Sequence, residues 1–396
     1  NVEDDLDKKF ALAHLKDHIE CCAGLFMRGK FELAPPFLPS LAMDIFERKI
    51  RRIYLSATLQ SLSDFVRAFG RTPDVVIEPT NDAGNGERLI LDGSKVAGGF
   101  TTDFADQLVK SKKLVVASPS YAEAEKWKAI CVPPKPANFS EELDAFRKAK
   151  SGAFSLVSRA DGIDLPHDTC RLMIIDGLPL GSSLIEKYQW EFLGMNNLHA
   201  FRIANRLAQL FGRINRGRKD YGAFLTEGRD LNIWLAKDRN VALLPPLLQQ
   251  QILVGRDVQS GLGVTTVDAA EDAINAVLER NQDWIDYYEQ EVKLGLDEAQ
   301  VLRSQEADPA MVEAAEAEAR FAKWMWLQDF ERAWRELDVS SDSVAQFDTP
   351  IAGWQNIWQG AALELAGDQD SAMRAYGVAR SRLGTNIQLP RRSSVT

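Results

Sequence analysis

Cysteine is scarce in this chain of 396 residues, which holds only Cys21, Cys22, Cys131 and Cys170. None of them is paired at C-x-x-C spacing, which excludes the usual zinc arrangements, and four are too few for a disulfide framework. Adjacent residues on a helix point in different directions, so Cys21 and Cys22 read as buried thiols rather than as metal or redox ligands. A reducing, cytoplasmic compartment is the expectation. No uninterrupted apolar run reaches the ~20 residues that a membrane span requires, and the polar start lacks the charged-then-apolar pattern of a secretion signal. The chain is therefore expected to be soluble, with no membrane partner, and its start at Asn1 reads as a piece of something longer.

Positive charge is also in short supply, with a formal net charge of −10. Spread evenly, that balance would argue against a polyanionic partner, because phosphate binding needs clustered Lys and Arg. The charge is not spread evenly. Six basic residues and no acidic one lie between Arg202 and Lys219, whereas 15 Asp or Glu face 4 Lys or Arg between Thr265 and Arg320. The middle of the chain thus stays open as a polyanion site, and the acidity belongs to its later part. With 45% apolar and 26% charged residues, the composition is that of a globular protein with two or three cores.

Residues 1 to about 50 read as helices broken near Pro35, Pro36 and Pro39, followed by a short β-type run at Arg51–Leu55 and renewed helical spacing from Asp64 to Phe69. The polar stretch Asn81–Gly86 reads as a loop between lobes. From Arg88 to Thr226, apolar runs alternate with helical segments, the pattern of a parallel sheet wrapped by helices. Strands are predicted at Leu89–Leu91, Leu114–Ala117, Phe154–Val157, Leu172–Ile175 and Gly222–Leu225. Helices are predicted at Tyr121–Ile130, Glu141–Lys150, Ser183–Leu193 and Leu198–Phe211. Ligands of such sheets sit at the carboxyl ends of the strands, so motifs just after those strands are expected to share one cleft. Beyond Gly263 the spacing is helical throughout. The fold class is thus α/β, a parallel sheet wrapped by helices and followed by an all-helical region, with domains at 1–70, 71–262 and 263–396. The last contains one hairpin at 354–380 that resembles a tetratricopeptide unit, although ordinary helical packing explains it as well.

Two stretches carry chemistry. In Gln209-Leu210-Phe211-Gly212-Arg213-Ile214-Asn215-Arg216, two arginines three apart can share a helical face, and guanidinium donors suit the oxygens of a transferring phosphoryl group. Gly212 permits close approach, and Gln209 can orient an attacking water. A solvated basic helix end is the plainer alternative. In Ser158-Arg159-Ala160-Asp161-Gly162-Ile163-Asp164-Leu165-Pro166, a glycine flanked by carboxylates follows a strand, placing Asp164 to hold a sugar hydroxyl or a neighbouring arginine. A simple Asx turn would look the same.

These two stretches resemble helicase motifs VI and V. Together with Ser56-Ala57-Thr58-Leu59 as motif III and Leu114–Tyr121 as motif IV, they are similar in order and spacing to superfamily 2 helicases of the XPD/DinG type. The stretches Asp161–Pro166 and Arg171–Pro179, and the join of motif VI to Asp220-Tyr221-Gly222, carry most of the likeness, which spans roughly residues 50 to 240. The resemblance implies a RecA-like sheet and a DNA helicase in which Gln209, Arg213 and Arg216 are catalytic and Gly162, Asp164 and Gly212 line the ATP site. It further implies that Ser56 and Thr58 couple hydrolysis to movement, and that Ser118, Ser120 and Arg159 contact nucleic acid. ATP and Mg are the implied cofactors, with a track of single-stranded DNA or forked duplex, followed 5′ to 3′ in relatives of this type.

The sequence departs from that pattern in places. Asp161 stands where Glu is usual, His167 stands where Gly is often found, and both His167 and His199 are read as structural. No G-x-x-x-x-G-K-[ST] loop and no Asp-Glu-Ala-His strand occurs. The Walker lysine and the magnesium ligands are therefore expected on a missing N-terminal half, which becomes the chief partner, with residues 1–70 as its trailing edge. The family's iron–sulfur cysteines also lie upstream, which leaves that cluster open. The competing expectations are a non-motor nucleic-acid or protein-binding module, and the helicase subunit of a bacterial defence or repair complex that docks a protein through its helical tail.

Overall fold

The computed structural model describes residues 6–27, 29–47, 50–55, 62–77, 86–158, 163–165, 167–181, 183–215, 217, 219–299, 309–384 and 387. Its strands are β1 (Ala23–Met27), β2 (Lys30–Ala34), β3 (Glu87–Asp92), β4 (Lys113–Ser118), β5 (Gly152–Val157), β6 (Leu172–Asp176) and β7 (Tyr221–Glu227). The chain divides into two compact units. One comprises Asn1–Val76, Ser183–His199 and Gln305–Thr396, the other Ile77–Ser182 and Ala200–Ser304.

The second unit is built on a five-stranded, all-parallel sheet in the order β3-β7-β6-β4-β5. Its strands are continuous apolar runs because helices cover both faces and neither side meets water. Alternate residues Leu89 and Leu91, Leu114 and Val116, Leu172 and Ile174, and Ala223 and Leu225 turn towards one core, which also takes in Phe100, Phe104, Leu108 and Trp127. On the other face, Phe224 meets Phe211 of the helix Asn196–Phe211, with ring centroids 5.1 Å apart. All five predicted strands are present.

The boundary drawn at residue 262 does not coincide with the edge of this unit. The helices Val267–Leu278 and Gln282–Ala299 contribute Ile274, Val277, Trp284 and Tyr288 to the sheet core. The preceding helix, Pro246–Ser260, lies so close to β3 that a Cβ at Gly255 would run into the Ile90 carbonyl. Helical periodicity identifies amphipathic helices, but it does not say which core their apolar faces join.

In the first unit, residues 1 to about 50 are not all helical. The helix Leu6–Leu15 is followed by the antiparallel hairpin β1–β2, in which Phe26 pairs with Phe31 and the turn passes through Gly29 at φ 78°. Aromatic cross-strand pairing and a left-handed glycine favour a hairpin there over a helix. Residues 51–55 form no strand, although Leu62–Phe69 is helical as expected. The unit also holds the helix Leu184–Glu191 and a run of antiparallel helices, Pro309–Trp326, Phe330–Ala345, Thr349–Ala366 and Gln369–Leu383, with very short links. Asp329, Asp348 and Asp368 cap the last three, each carboxylate accepting from the backbone amide three residues on. The motif of a left-handed residue, a capping Asp and a buried Ala occurs at Gln328, Asp329 and Ala333 and again at Gly367, Asp368 and Ala372. The hairpin expected at 354–380 falls within the last two helices, where Gly360 leaves room for the Tyr376 ring.

Candidate functional site

The order of strand and helix in this sheet decides where each motif lies. In a parallel sheet, residues that follow a strand emerge at its carboxyl end, whereas residues that follow a crossover helix have returned to the amino end. Motif VI follows the helix Asn196–Phe211 and leads into β7, so it sits at the amino ends. There the Asn215 side chain accepts from the Gly86 amide at 2.8 Å and donates to the Glu87 carbonyl at 2.7 Å, binding motif VI to the start of β3. Arg88, itself buried, donates to the Asn215 carbonyl at 3.3 Å and to Gln251 at 2.8 Å, and Gln251 donates in turn to the Tyr288 hydroxyl at 2.6 Å. Burial raises the Tyr288 pKa, so its hydroxyl stays protonated within this chain of contacts.

Motif V comes to the same place along the connection from β5 to β6. Arg213 is 6% exposed. Its guanidinium donates to the Ile163 carbonyl at 2.9 Å and lies 3.5 Å from the Asp164 carboxylate, while the Leu165 amide donates to the Arg213 carbonyl at 2.9 Å. Farther along, the buried Asp220 carboxylate accepts from the His167 amide at 3.1 Å and from the Gly217 amide at 3.0 Å, and it lies 2.8 Å from His167 Nδ1. Gln209 is half-buried on the last turn of its helix, and Gly212 closes that helix with its amide on the Ala208 and Gln209 carbonyls. Arg159, Gly162 and Arg216, like Ser56 and Thr58, lie outside the described residues.

The motif IV serines are at the opposite, carboxyl ends. Ser118 ends β4 with its hydroxyl buried and without a hydrogen-bond partner. Ser120 caps the short helix Tyr121–Ala124, accepting from the Glu123 amide at 3.3 Å and donating to the Glu123 carboxylate at 2.7 Å. Ser158, just after β5, donates to the Pro119 carbonyl and holds the two strand ends together. Motifs that directly follow the strands are expected to share one cleft at the carboxyl ends; the structure places Ser118, Ser120 and Ser158 there, but Ile163, Asp164 and Leu165 of motif V lie against Arg213 at the amino ends.

The carboxyl ends also gather Asp92, Asp176 and Glu227. Asp176 accepts from Trp127 Nε1 at 2.6 Å and faces Lys126 at 3.5 Å. Burial raises the Glu227 pKa, and Lys126 only partly opposes it. The thiols are unsuited to nucleophilic work, since burial pushes Cys131 and Cys170 up to about 12 and Cys22 up to about 11. His167 and His199 each have their own surroundings, the first on Asp220 and the second edge-on to Trp190 at 6.0 Å.

The sequence pattern does not single out Asn215 and Asp220 as functional residues, and it presents His167 as a departure with a structural role. Their signal lay in the Asp220-Tyr221-Gly222 join and in a histidine at a glycine-like position, which here has φ 54°. Among the described residues, no helix is long and apolar enough to cross a membrane. No curated protein matches the chain. Residues 104–228, just under a third of the chain and inclusive of β4 to β7, match the family model of the helicase C-terminal domain, which supports such a domain here and a helicase-related function.

Proposed function

We propose that this chain is the C-terminal motor portion of an ATP-dependent DNA helicase of the XPD/DinG type, acting on single-stranded DNA or forked duplex. The reading is carried by the contact between motifs V and VI, Arg213 with Ile163 and Asp164, inside the stretch that matches the helicase C-terminal domain. The phosphate-gripping lobe and its magnesium ligands are assigned to polypeptide outside these residues. Among the described residues, no group of three or more His, Cys, Asp or Glu could hold a metal ion.

In this reading, nucleotide binds between the absent lobe and the motif VI end of this one, and nucleic acid crosses the carboxyl ends near Ser118 and Ser120. Motif V has Ser158 bonded to Pro119 at the carboxyl ends and Ile163, Asp164 and Leu165 bonded to Arg213 at the amino ends, which makes it the natural carrier of a signal between them.

The burial of Arg213 favours a division of labour. An arginine already engaged by Ile163 and Asp164 orders motif V, and Arg216, three residues on, makes the phosphate contact. In the full-length protein, Arg216→Ala is expected to lower DNA-stimulated ATP turnover by about 10³ while strand binding persists. Arg213→Lys is expected to lower the melting temperature together with turnover. Turnover unchanged in both variants would remove the motor assignment.

A further inference from the structure

His167 is an exposed side chain held in a costly conformation. Its φ of 54° lies in the left-handed region, which glycine, asparagine and aspartate adopt far more readily than other residues. The imidazole is 69% exposed, so burial of the ring does not explain its presence. What holds it is Asp220, a carboxylate with no solvent exposure, through Nδ1 at 2.8 Å and the backbone amide at 3.1 Å. The same carboxylate accepts from Gly217 at 3.0 Å, and the Asp220 amide donates back to the Gly217 carbonyl at 2.8 Å. One acidic group therefore closes the turn that ends motif VI and grips the end of motif V.

At the other end of the same short segment, Arg213 grips Ile163 and Asp164, and between the two grips the Leu165 amide bonds to the Arg213 carbonyl. Leu165 itself is fully buried. A strand-like segment fixed at both ends and in the middle cannot slide along its neighbour without breaking all three attachments.

We infer that His167 is a positioning residue that locks motif V to motif VI, so that the two move as one block when the motor responds to nucleic acid. The inference rests on the motor reading given above. A glycine at this position would satisfy the backbone better yet lose the Nδ1 contact, so backbone comfort and the lock make opposite predictions. Asparagine tolerates the left-handed region and carries a side-chain donor, which makes it the conservative replacement.

The test uses the full-length protein with ATP and a single-stranded oligothymidylate. His167→Gly is expected to reduce the ratio of stimulated to unstimulated ATP turnover about tenfold, with a melting temperature no lower than that of the unaltered protein. Hydrogen exchange at the Leu165 and Gly217 amides should speed up in the same variant. His167→Asn is expected to restore both ratio and protection. A glycine variant that keeps its stimulation and its amide protection would overturn the lock. An unaltered protein that shows no stimulated turnover would overturn the motor reading instead, while amide exchange still decides whether His167 fastens the two motifs.

Discussion

The guanidinium of Arg67 meets the Glu318 carboxylate at 2.6 Å, joining the helix Leu62–Phe69 to the helix Pro309–Trp326, and neither side chain is open to water. Burial alone would lower the pKa of Arg67, but Glu318 and Asp64 more than reverse it, so the arginine stays charged. Gln355 donates to the second oxygen of Glu318 at 2.8 Å and accepts from Ser340 at 3.1 Å. A buried pair of this kind loses far more when one partner is removed than when both are. Arg67→Met is expected to destabilise the protein by about 3–5 kcal/mol, and the double variant Arg67→Met with Glu318→Leu to recover most of that loss. Denaturant unfolding of the three proteins checks both outcomes.

Gly86 decides how closely motif VI can lie against the start of β3. A Cβ there would occupy the space of the Asp220 and Gly217 carbonyls, which are backbone and cannot rotate away. Gly86→Ala is expected to cost about 1–3 kcal/mol through overpacking, and in the full-length protein to lower DNA-stimulated turnover as well. Wild-type stability in this variant would mean that β3 and motif VI can separate freely.

Glu227 stands at the end of β7 with its pKa raised by burial and by the nearby Asp176 and Asp92, against the pull of Lys126. A carboxyl whose folded pKa exceeds its unfolded value supports the fold most below the unfolded value of 4.5, and that support is lost as pH rises through the folded value. Glu227→Gln is accordingly expected to melt about 2–4 °C higher at neutral pH, with the difference disappearing as pH falls below 4.5. Melting curves across that range would contradict the assignment if the gain persisted in acid.

Asp348 caps the helix Thr349–Ala366 by accepting from the Ile351 amide at 2.9 Å, and its second oxygen accepts from Asn197 at 3.0 Å. That helix carries Trp354, Ile357 and Trp358 into the core of its unit, so fraying at its start loosens much of the packing. Asp348→Ala is expected to cost about 1–2 kcal/mol, whereas Asp348→Asn, also a good capping residue, should cost less. Equal losses in urea unfolding would rule out capping as the cause.

The sequence alone determined the five parallel strands, because runs such as Leu172–Ile175 have to be buried on both faces, and it determined the helical character of the described segments beyond Gly263. It also set the order of the motifs. Tertiary structure decided where they meet: β6 and β7 are parallel neighbours, so the connection between them, which ends in the helix Asn196–Phe211, has to carry motif VI back to the amino ends, away from Ser118 and Ser120. Tertiary structure likewise assigned the helices Val267–Leu278 and Gln282–Ala299 to the sheet core, and it turned Arg213 and His167 towards particular partners. Periodicity and composition are local properties of the chain, whereas the core a helix joins, and the carboxylate an arginine or histidine reaches, depend on contacts between segments far apart in sequence.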